Sequence, residues 1–302
     1  MITRRGVLRG LGAAVASGFA LGAYAVGFEP NRSIRITKYR LQGLSRWPAD
    51  LNIKIAVIAD LHACEPWVGA GRIKDIVDHT NRLNADVILL LGDYVAGHRW
   101  VTSWVHSDVW APALGKLRAP LGVHAILGNH DWWEDKTAQK LGHGPVFSQR
   151  ALEAAQIKVY ENDVMRLSKG GKPFWLAGLG DQIGLLPGRG SGRKNFRGLH
   201  DLPATLAKLT DDAPVILMAH EPDIFPTVPE RVALTLSGHT HGGQVRIFGY
   251  SPVVPSKYRN RYAYGHVVED GRHLIVSGGL GCSIMPVRLG VPPEVLLVEV
   301  GA

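Results

Sequence analysis

Cysteine is scarce in this chain of 302 residues, and the two that occur, Cys64 and Cys282, lie far apart and fit no CxxC pattern. This spacing argues against a zinc knuckle or a disulfide-rich scaffold, although a single bridge stays open in an oxidising compartment. Internal repeats and low-complexity blocks are not evident either, which argues against a solenoid or a disordered chain. The 46% of apolar residues is ordinary for a globular protein that buries a substantial core.

Residues 10–27 carry no charge and follow three arginines. They are rich in Gly and Ala and only mildly hydrophobic, which suits a signal peptide better than a transmembrane helix. Residues 3–8, TRRGVL, resemble the twin-arginine export signal, which carries folded proteins out of the bacterial cytoplasm. Residues 23–25, AYA, have the small-x-small form of a cleavage site. We expect residues 1–27 to be a signal peptide or an uncleaved N-terminal anchor. The protein is then exported to the periplasm or to the outer face of the cytoplasmic membrane.

Apolar runs alternate with amphipathic segments beyond residue 33. Buried strands are predicted over residues 52–59, 86–91 and 122–127, and helices over residues 72–83, 108–117 and 146–155. This βαβαβ order favours a parallel sheet with helices on its face. Short strands then follow one another, over residues 157–160, 164–167, 174–177, 215–219, 234–236, 244–248, 267–269, 274–276 and 295–300. The pattern predicts a second, mixed sheet packed on the first within one domain, residues 33–302.

Polar residues follow five of the predicted strands at their C-terminal ends, where ligands gather in α/β folds. In chain order they are Asp60 and His62, then Asp93, then Asn129, His130 and Asp131, then His220, and finally His239 and His241. Each alone has an ordinary explanation, because Asp often caps a helix and Asn often makes a turn. Five in succession indicate a site of oxygen and imidazole donors without thiolate, which suits hydrolytic metals such as Mn, Fe or Zn.

Five short motifs carry a resemblance to a known family. ADLH, LLGDYV, LGNHD, MAHEP and SGHTHGGQ, in this order, resemble the sequence blocks of the calcineurin-like metallophosphoesterases, and the joint pattern is highly specific. GHTHGGQ with residues 279–281 and 286–288 is most similar to the bacterial YkuE- and YaeI-like branch, which has exported or membrane-anchored members. That branch includes relatives that cleave the pyrophosphate of UDP-diacylglucosamine. The resemblance implies a four-layer α/β/β/α sandwich of two mixed β-sheets flanked by helices.

The resemblance also implies roles for the polar residues. Asp60, His62 and His241 would hold a first divalent metal ion, Asp93 would bridge both ions, and Asn129, His220 and His239 would complete the second. Two ions about 3.5–4 Å apart neutralise a phosphate ester, orient it and ionise a bridging water. His130 would protonate the leaving group while Asp131 orients its ring, or else would be a structural neighbour of the site.

Other residues limit the substrate. GDYVAGH has Ala96 and Gly97 where GDYVDRG of the protein Ser/Thr phosphatases has Asp and a phosphate-gripping Arg, so protein phosphatase activity is not expected. Arg288 is a candidate phosphate contact, or else it caps a loop or pairs with an acid. The basic, glycine-rich residues 186–197 are either a solvated loop or a flap over an anionic head group. Five tryptophans are either core residues or an apolar approach for a lipid, namely Trp100, Trp104, Trp110, Trp132 and Trp133.

Two hypotheses about function follow. The first is a binuclear metal-dependent phosphoesterase that acts outside the cytoplasm on a phosphorylated small molecule or lipid, with the twin-arginine machinery as partner and an association with the membrane. The second is a non-catalytic metal-binding envelope protein that keeps the fold. The intact ligand set together with His130 favours the enzyme. A nucleic-acid partner is not expected, because neither a long basic surface nor an added DNA-binding module is evident.

Overall fold

The computed structural model describes residues 3–188 and 195–301, and two six-stranded β-sheets form its centre. Helices of the described residues are Arg4–Ala23 (α1), Ala70–Asn81 (α2), Ser107–Leu114 (α3), Asn129–Trp133 (α4), Lys136–Leu141 (α5), Phe147–Ala154 (α6) and Leu202–Leu206 (α7). Strands are Arg35–Leu41 (β1), Ile53–Ile58 (β2), Cys64–Glu65 (β3), Val87–Leu90 (β4), Ser103–Trp104 (β5), Val123–Ala125 (β6), Lys158–Val159 (β7), Asp163–Lys169 (β8), Lys172–Gly178 (β9), Val215–Met218 (β10), Val232–Ser237 (β11), Gly265–Glu269 (β12), Arg272–Val276 (β13) and Glu294–Val300 (β14).

The first sheet has the order β1-β14-β2-β4-β6-β7. Strands β2, β4, β6 and β7 run parallel, as the βαβαβ pattern predicts, whereas β14 is antiparallel to β2 and parallel to β1. Two strands expected in the second sheet, β7 and β14, therefore belong to the first. Strand β1 is not among the predicted strands, and its hydrogen bonds go to β14 at the sheet edge.

The second sheet has the order β12-β13-β11-β10-β9-β8 and is mixed, because its two edge strands are antiparallel to the strands beside them. Its inner strands β9, β10, β11 and β13 run parallel. Residues 244–248, predicted as a strand, form only isolated bridges, at Val245 to Leu289 and at Ile247 to Tyr250.

Alternation along the strands directs side chains into separate apolar layers. In β2, Ile58 packs on the outer side with helices α2, α3 and α6, whereas Val57 packs between the sheets against residues such as Met218. The outer face of the second sheet is covered by α7 and by the 3₁₀ turns Pro222–Thr227 and Arg259–Tyr262. The predicted four-layer sandwich is confirmed, with a fourth layer made of short helical segments.

An apolar helix precedes the sandwich. Helix α1 continues through Tyr24–Phe28. Within the combined 25 residues, the most apolar 18-residue stretch has a mean hydropathy of 1.6 and is only 6% buried. The length and composition suffice to cross a membrane, which the sequence analysis considered unfavourable, and a signal sequence has the same features. The helix meets the sandwich at its end, where the Arg288 amide donates to the Ala25 carbonyl (2.9 Å).

The two cysteines are buried and unbridged. Cys64 lies in the short strand β3, and Cys282 follows β13. The disulfide that the sequence left open is therefore not formed in this structure.

Candidate metal centre

The seven predicted ligands meet at the carboxyl edges of both sheets. The first sheet contributes Asp60 and His62 after β2, Asp93 after β4 and Asn129 after β6, and the second contributes His220 after β10 and His239 and His241 after β11. Parallel strands place their C-terminal ends on one edge, so side chains distant in sequence become neighbours.

One group consists of Asp60, His62 and His241, whose potential ligand atoms lie within 4.8 Å of one another. The Nε2 atoms of His62 and His241 are 3.1 Å apart, and His241 Nε2 lies 3.6 Å from Asp60 Oδ1. All three side chains are buried. The geometry suits one cation held by a carboxylate and two imidazoles.

A second group consists of Asp93, His220 and His239, again within 4.8 Å of one another. His220 Nε2 lies 3.2 Å from Asp93 Oδ2, and the Asn129 amide oxygen lies 2.8 Å from His239 Nδ1. Asp93 Oδ2 is also 3.5 Å from His62 Nε2 of the first group. Asp93 thus stands between the two groups, where a bridging carboxylate belongs.

Backbone carbonyls orient two of the imidazoles. His62 Nδ1 donates to the Val95 carbonyl (2.8 Å), and His220 Nδ1 donates to the Leu91 carbonyl (2.6 Å). A carbonyl can only accept, so Nδ1 carries a proton in both rings and Nε2 is the atom that faces the cluster, where it could bind a metal.

The charges and unpaired atoms of the cluster fit divalent cations. Burial lowers the pKa of His62 to about 3 and also lowers the pKa of His239 and His241, so these rings stay neutral, the form that binds a metal. Burial opposes ionisation of Asp93, but nearby His220 and His130 hold its pKa well below the ordinary value. Asp60 Oδ2 is buried without a hydrogen-bond partner. Buried polar atoms are rarely left unpaired, and a cation at the first group would satisfy this one.

Backbone strain is concentrated at the same place. Five of the seven ligands have positive φ, at Asp60 (52°), His62 (43°), Asp93 (57°), His239 (68°) and His241 (51°). Such conformations are costly for residues with a β-carbon and cluster at functional sites.

Two glycines leave room beside the ligands. A β-carbon at Gly128 would lie 2.3 Å from Asp93 Oδ1, and one at Gly238 would lie 2.6 Å from Asp60 Oδ2. Gly238 before the HxH motif and Gly128 before Asn129 therefore allow close approach of ligand side chains to the backbone.

His130 borders the cluster, but Asp131 does not orient its ring as expected. The Asp131 carboxylate accepts from the amides of Gly128 (2.9 Å), Asp93 (2.9 Å) and Tyr94 (3.1 Å). It thereby joins two ligand loops instead of contacting the His130 imidazole. The neighbour of His130 Nε2 is the Ser283 hydroxyl (3.2 Å). Sequence reasoning did not identify Ser283, which no motif marks.

The expected phosphate contact of Arg288 does not fit the structure. The side chain is fully buried, and its guanidinium donates to the carbonyls of Gly281 (3.1 Å) and Val291 (2.8 Å). Its Nη2 lies 3.3 Å from His241 Nδ1. Arg288 therefore caps a loop, as the alternative prediction held, and its guanidinium packs against the Nδ1 edge of His241.

A carboxylate pair next to His220 is also absent from the sequence prediction. Asp181 and Glu221 are buried, and burial together with Glu221 raises the pKa of Asp181 well above its ordinary value. Glu221 stands in the MAHEP motif, but Asp181 belongs to none of the five motifs, so only the folded arrangement reveals the pair.

The five tryptophans differ in burial, and an apolar approach for a lipid stays a prediction. Trp110 and Trp132 are fully buried core residues, whereas Trp100 and Trp104 are 65% and 50% exposed. Trp133 lies beside the centre, with its ring centroid 5.0 Å from that of His130. Of the proposed flap, residues 189–194 lie outside the described residues.

Comparison with known proteins agrees with this centre. Residues 53–243 match the family of calcineurin-like phosphoesterases. The metallophosphoesterase YkuE of Bacillus subtilis is 30% identical over 97% of this chain and 96% of its own length. The phosphodiesterase YaeI of Escherichia coli is 30% identical over 99% of both chains. A transmembrane protein with metallophosphoesterase domain from Danio rerio is 27% identical over 83% of this chain and 54% of its own length. The chain therefore belongs to the calcineurin-like phosphoesterase family, as its five motifs predict, and is a metal-dependent phosphoesterase.

Proposed function

We propose that this phosphoesterase uses two metal ions outside the cytoplasm, on a phosphate ester or pyrophosphate that carries an apolar group, such as the nucleotide-linked lipid UDP-diacylglucosamine. One observation carries the proposal: two cavities of different polarity meet at the ligand His239. A cavity of about 580 Å³ whose lining mixes polar and apolar groups, named here the polar cavity, shares His239 and Pro255 with a mostly apolar cavity of about 430 Å³.

The polar cavity offers hydrogen-bonding groups of both kinds. Its lining includes Gln182, His200, Asp201, Asp223, Ser256 and Lys257. Such groups recognise hydroxyls, heterocyclic bases and phosphates. They suit the sugar or nucleotide part of a substrate.

The apolar cavity reaches the ligands from the other side. Its lining includes Trp133, Val245, Val253, Ile284, Met285 and Val287, next to Asp93 and His130. A phosphoryl group at the metals would then have a polar substituent in one cavity and an apolar one in the other. This arrangement favours a diester or pyrophosphate over a small monoester.

The ligand residues have distinct tasks in this proposal. Asp60, His62 and His241 would hold one ion, and Asn129, His220 and His239 the other, with Asp93 shared. When bound, the two ions supply Lewis acidity, which offsets the charge of the phosphoryl group and lowers the pKa of water.

His130 is the proposed proton donor. It lines the apolar cavity together with Asp93, and its amide donates to Asp93 Oδ1 (2.8 Å), which fixes its position relative to the bridge. Ser283 holds the ring at Nε2. The imidazole would deliver a proton to the leaving oxygen on the apolar side.

Metal analysis combined with an activity screen on the full chain tests the proposal. We expect two ions per chain, drawn from Mn, Fe and Zn, and a higher kcat/KM for UDP-diacylglucosamine than for a simple aryl phosphate. A single ion in fully loaded, active protein would contradict the binuclear centre. Two bound ions without hydrolysis of any ester or pyrophosphate would favour the non-catalytic metal-binding alternative. No nucleic-acid partner forms part of the proposal.

The apolar helix supports the proposed location. We propose that it directs export through the twin-arginine machinery and stays attached as an anchor. Retention is supported by the helix end, because the Ala25 carbonyl accepts from the Arg288 amide (2.9 Å) and the Val26 carbonyl accepts from Trp67 Nε1 (3.4 Å). Cleavage after residue 25 would remove the first of these acceptors.

Replacing Arg4 and Arg5 by Lys tests the route. We expect the double variant to stay in the cytoplasm, as measured by cell fractionation of a C-terminally tagged chain, while the parent reaches the membrane with its intact mass. Unchanged export of the variant would indicate another route, and a shortened parent would indicate cleavage.

A further inference from the structure

A hairpin near the apolar cavity presents a fully exposed aromatic side chain at its tip. Ile247 and Tyr250 exchange both backbone hydrogen bonds (2.9 and 3.0 Å), so Phe248 and Gly249 form a two-residue turn. Both have positive φ, 50° and 80°. Turns of this kind favour Asn-Gly or Gly-Gly, since positive φ strains a residue with a β-carbon. Phe248 is thus a poor choice for the turn itself, and its side chain is 105% exposed.

Further exposed apolar residues continue from this tip to the cavity. We name as the mouth patch the set Ile247, Phe248, Tyr250, Val253, Ile284 and Met285, which are between 48% and 105% exposed. Three of them, Val253, Ile284 and Met285, also line the apolar cavity. An exposed apolar patch of this kind marks a surface that meets a partner or a membrane.

The apolar helix ends at the same place. Arg288 donates its amide to Ala25 at the helix end (2.9 Å). The next residue, Leu289, accepts from the amide of Arg246 (2.7 Å), which immediately precedes the hairpin. Two consecutive residues therefore join the end of the helix to the base of the hairpin.

We propose that the mouth patch inserts into the same lipid bilayer as the apolar helix, so that the apolar cavity opens onto the lipid phase. The inference rests on the proposed lipid-linked substrate and specifies how that substrate reaches the metals. A bilayer is the expected occupant because residues 288 and 289 join the hairpin to the end of a helix of membrane-spanning length and composition. Aromatic and aliphatic side chains that protrude from loops also enter the boundary between head groups and acyl chains.

Site-directed labelling of the full chain tests the insertion. Cys64 and Cys282 are 1% and 2% exposed, so a cysteine introduced as Phe248→Cys is the accessible thiol for a polarity-sensitive fluorophore. The chain is reconstituted into vesicles of phosphatidylethanolamine and phosphatidylglycerol. The matched control is Val268→Cys, which is 53% exposed and lies near the end of β12 that pairs with the start of β13, away from the metal centre.

The expected result is a blue-shifted emission at position 248 that spin-labelled lipids quench, with neither effect at position 268. Emission at 248 that resembles the control overturns the proposal. Shielding at 248 that rises with protein concentration, without quenching by lipid, also overturns it and assigns the patch to a protein partner or a second copy of the chain. This readout does not require hydrolysis, so it remains decisive even where the proposed enzymatic function fails.

An activity comparison links the patch to the substrate. Phe248 does not line either cavity, so Phe248→Asn is expected to leave the hydrolysis of a soluble bis-aryl phosphate unchanged. It is expected to lower kcat/KM for a lipid-linked pyrophosphate in vesicles by about tenfold, since one buried aromatic side chain contributes an effect of this order. Equal rates on the vesicle substrate for parent and variant would contradict delivery through the bilayer.

Discussion

The metal centre and the mouth patch lie side by side and are built in opposite ways. Six of the seven ligands are buried, follow strand ends and have their rings or loops fixed by backbone hydrogen bonds. The mouth patch consists of exposed side chains on loops. In the proposed function, the first region would determine which bond is broken, because it would fix the charge around the phosphoryl group. The second would determine which molecules reach the metals, because three of its residues line the apolar cavity.

The largest effect is expected when the shared ligand is removed. Asp93→Ala should abolish binding of both ions, because its carboxylate lies next to His62 (3.5 Å) and His220 (3.2 Å). His62→Ala should weaken only one ion. The loss of activity in Asp93→Ala should exceed the rate factor of a single positioned acid, which is about 10²–10⁴-fold. Elemental analysis of folded variants checks this, and retention of one tightly bound ion in Asp93→Ala would show that the carboxylate is not shared.

His130→Asn separates proton donation from metal binding. Both ions should remain, since no ligand is lost. An alkoxide needs a proton in the transition state, so alkyl esters should lose about 10²–10⁴-fold in kcat with little change in KM. Aryl esters should be only mildly slowed, with pyrophosphates nearer to them, because these groups leave as weak bases. Equal losses on aryl and alkyl esters would assign His130 to positioning of the phosphoryl group.

Arg288→Lys examines the support behind His241. Lysine is a single point donor and cannot serve the carbonyls of Gly281 and Val291 together with the edge of His241. Affinity for the first ion should fall by about 10–100-fold, as is usual when a residue behind a ligand is lost. KM at saturating metal should not change. A raised KM with unchanged metal affinity would restore Arg288 as a phosphate contact.

The smallest expected effect is a change in the free energy of unfolding caused by a substitution in the mouth patch. Phe248→Asn should raise the free energy of unfolding by about 1 kcal/mol, because Asn tolerates positive φ better than Phe. Urea unfolding of the full chain in detergent micelles measures it, with Val268→Asn as the strand control that should be neutral or destabilised. A loss of stability in Phe248→Asn would mean that the aromatic ring is buried in the native state, either against the domain or in the micelle.

The sequence predicts the fold best where local pattern and chain order agree. The alternation of strands and helices between residues 53 and 154 predicts the centre of the first sheet. The apolar run of β14 predicts a buried strand, but its position between β1 and β2 depends on packing that no local pattern contains. Residues 244–248 alternate like a strand, yet only two isolated bridges form there.

In the site, too, local sequence predicts some features, whereas others depend on packing. The ligands can be predicted because each lies in a short, continuous motif at the end of a strand. The strand ends then bring these motifs to one edge. The roles expected of Asp131 and Arg288 depend on which atoms surround their side chains. Asp131 instead contacts three amides and Arg288 contacts two carbonyls, and Ser283 reaches His130 from 153 positions away.

Each ion site requires both sheets, since Asp60 and His62 meet His241 in one group and Asp93 meets His220 and His239 in the other. Neither site is complete before residues that are far apart in the chain have folded together. A twin-arginine route carries its cargo folded, so the chain would cross the membrane with its sites already formed. The identity of the ions would then be decided by the metal supply of the cytoplasm, and the enzyme would work outside with metals chosen inside.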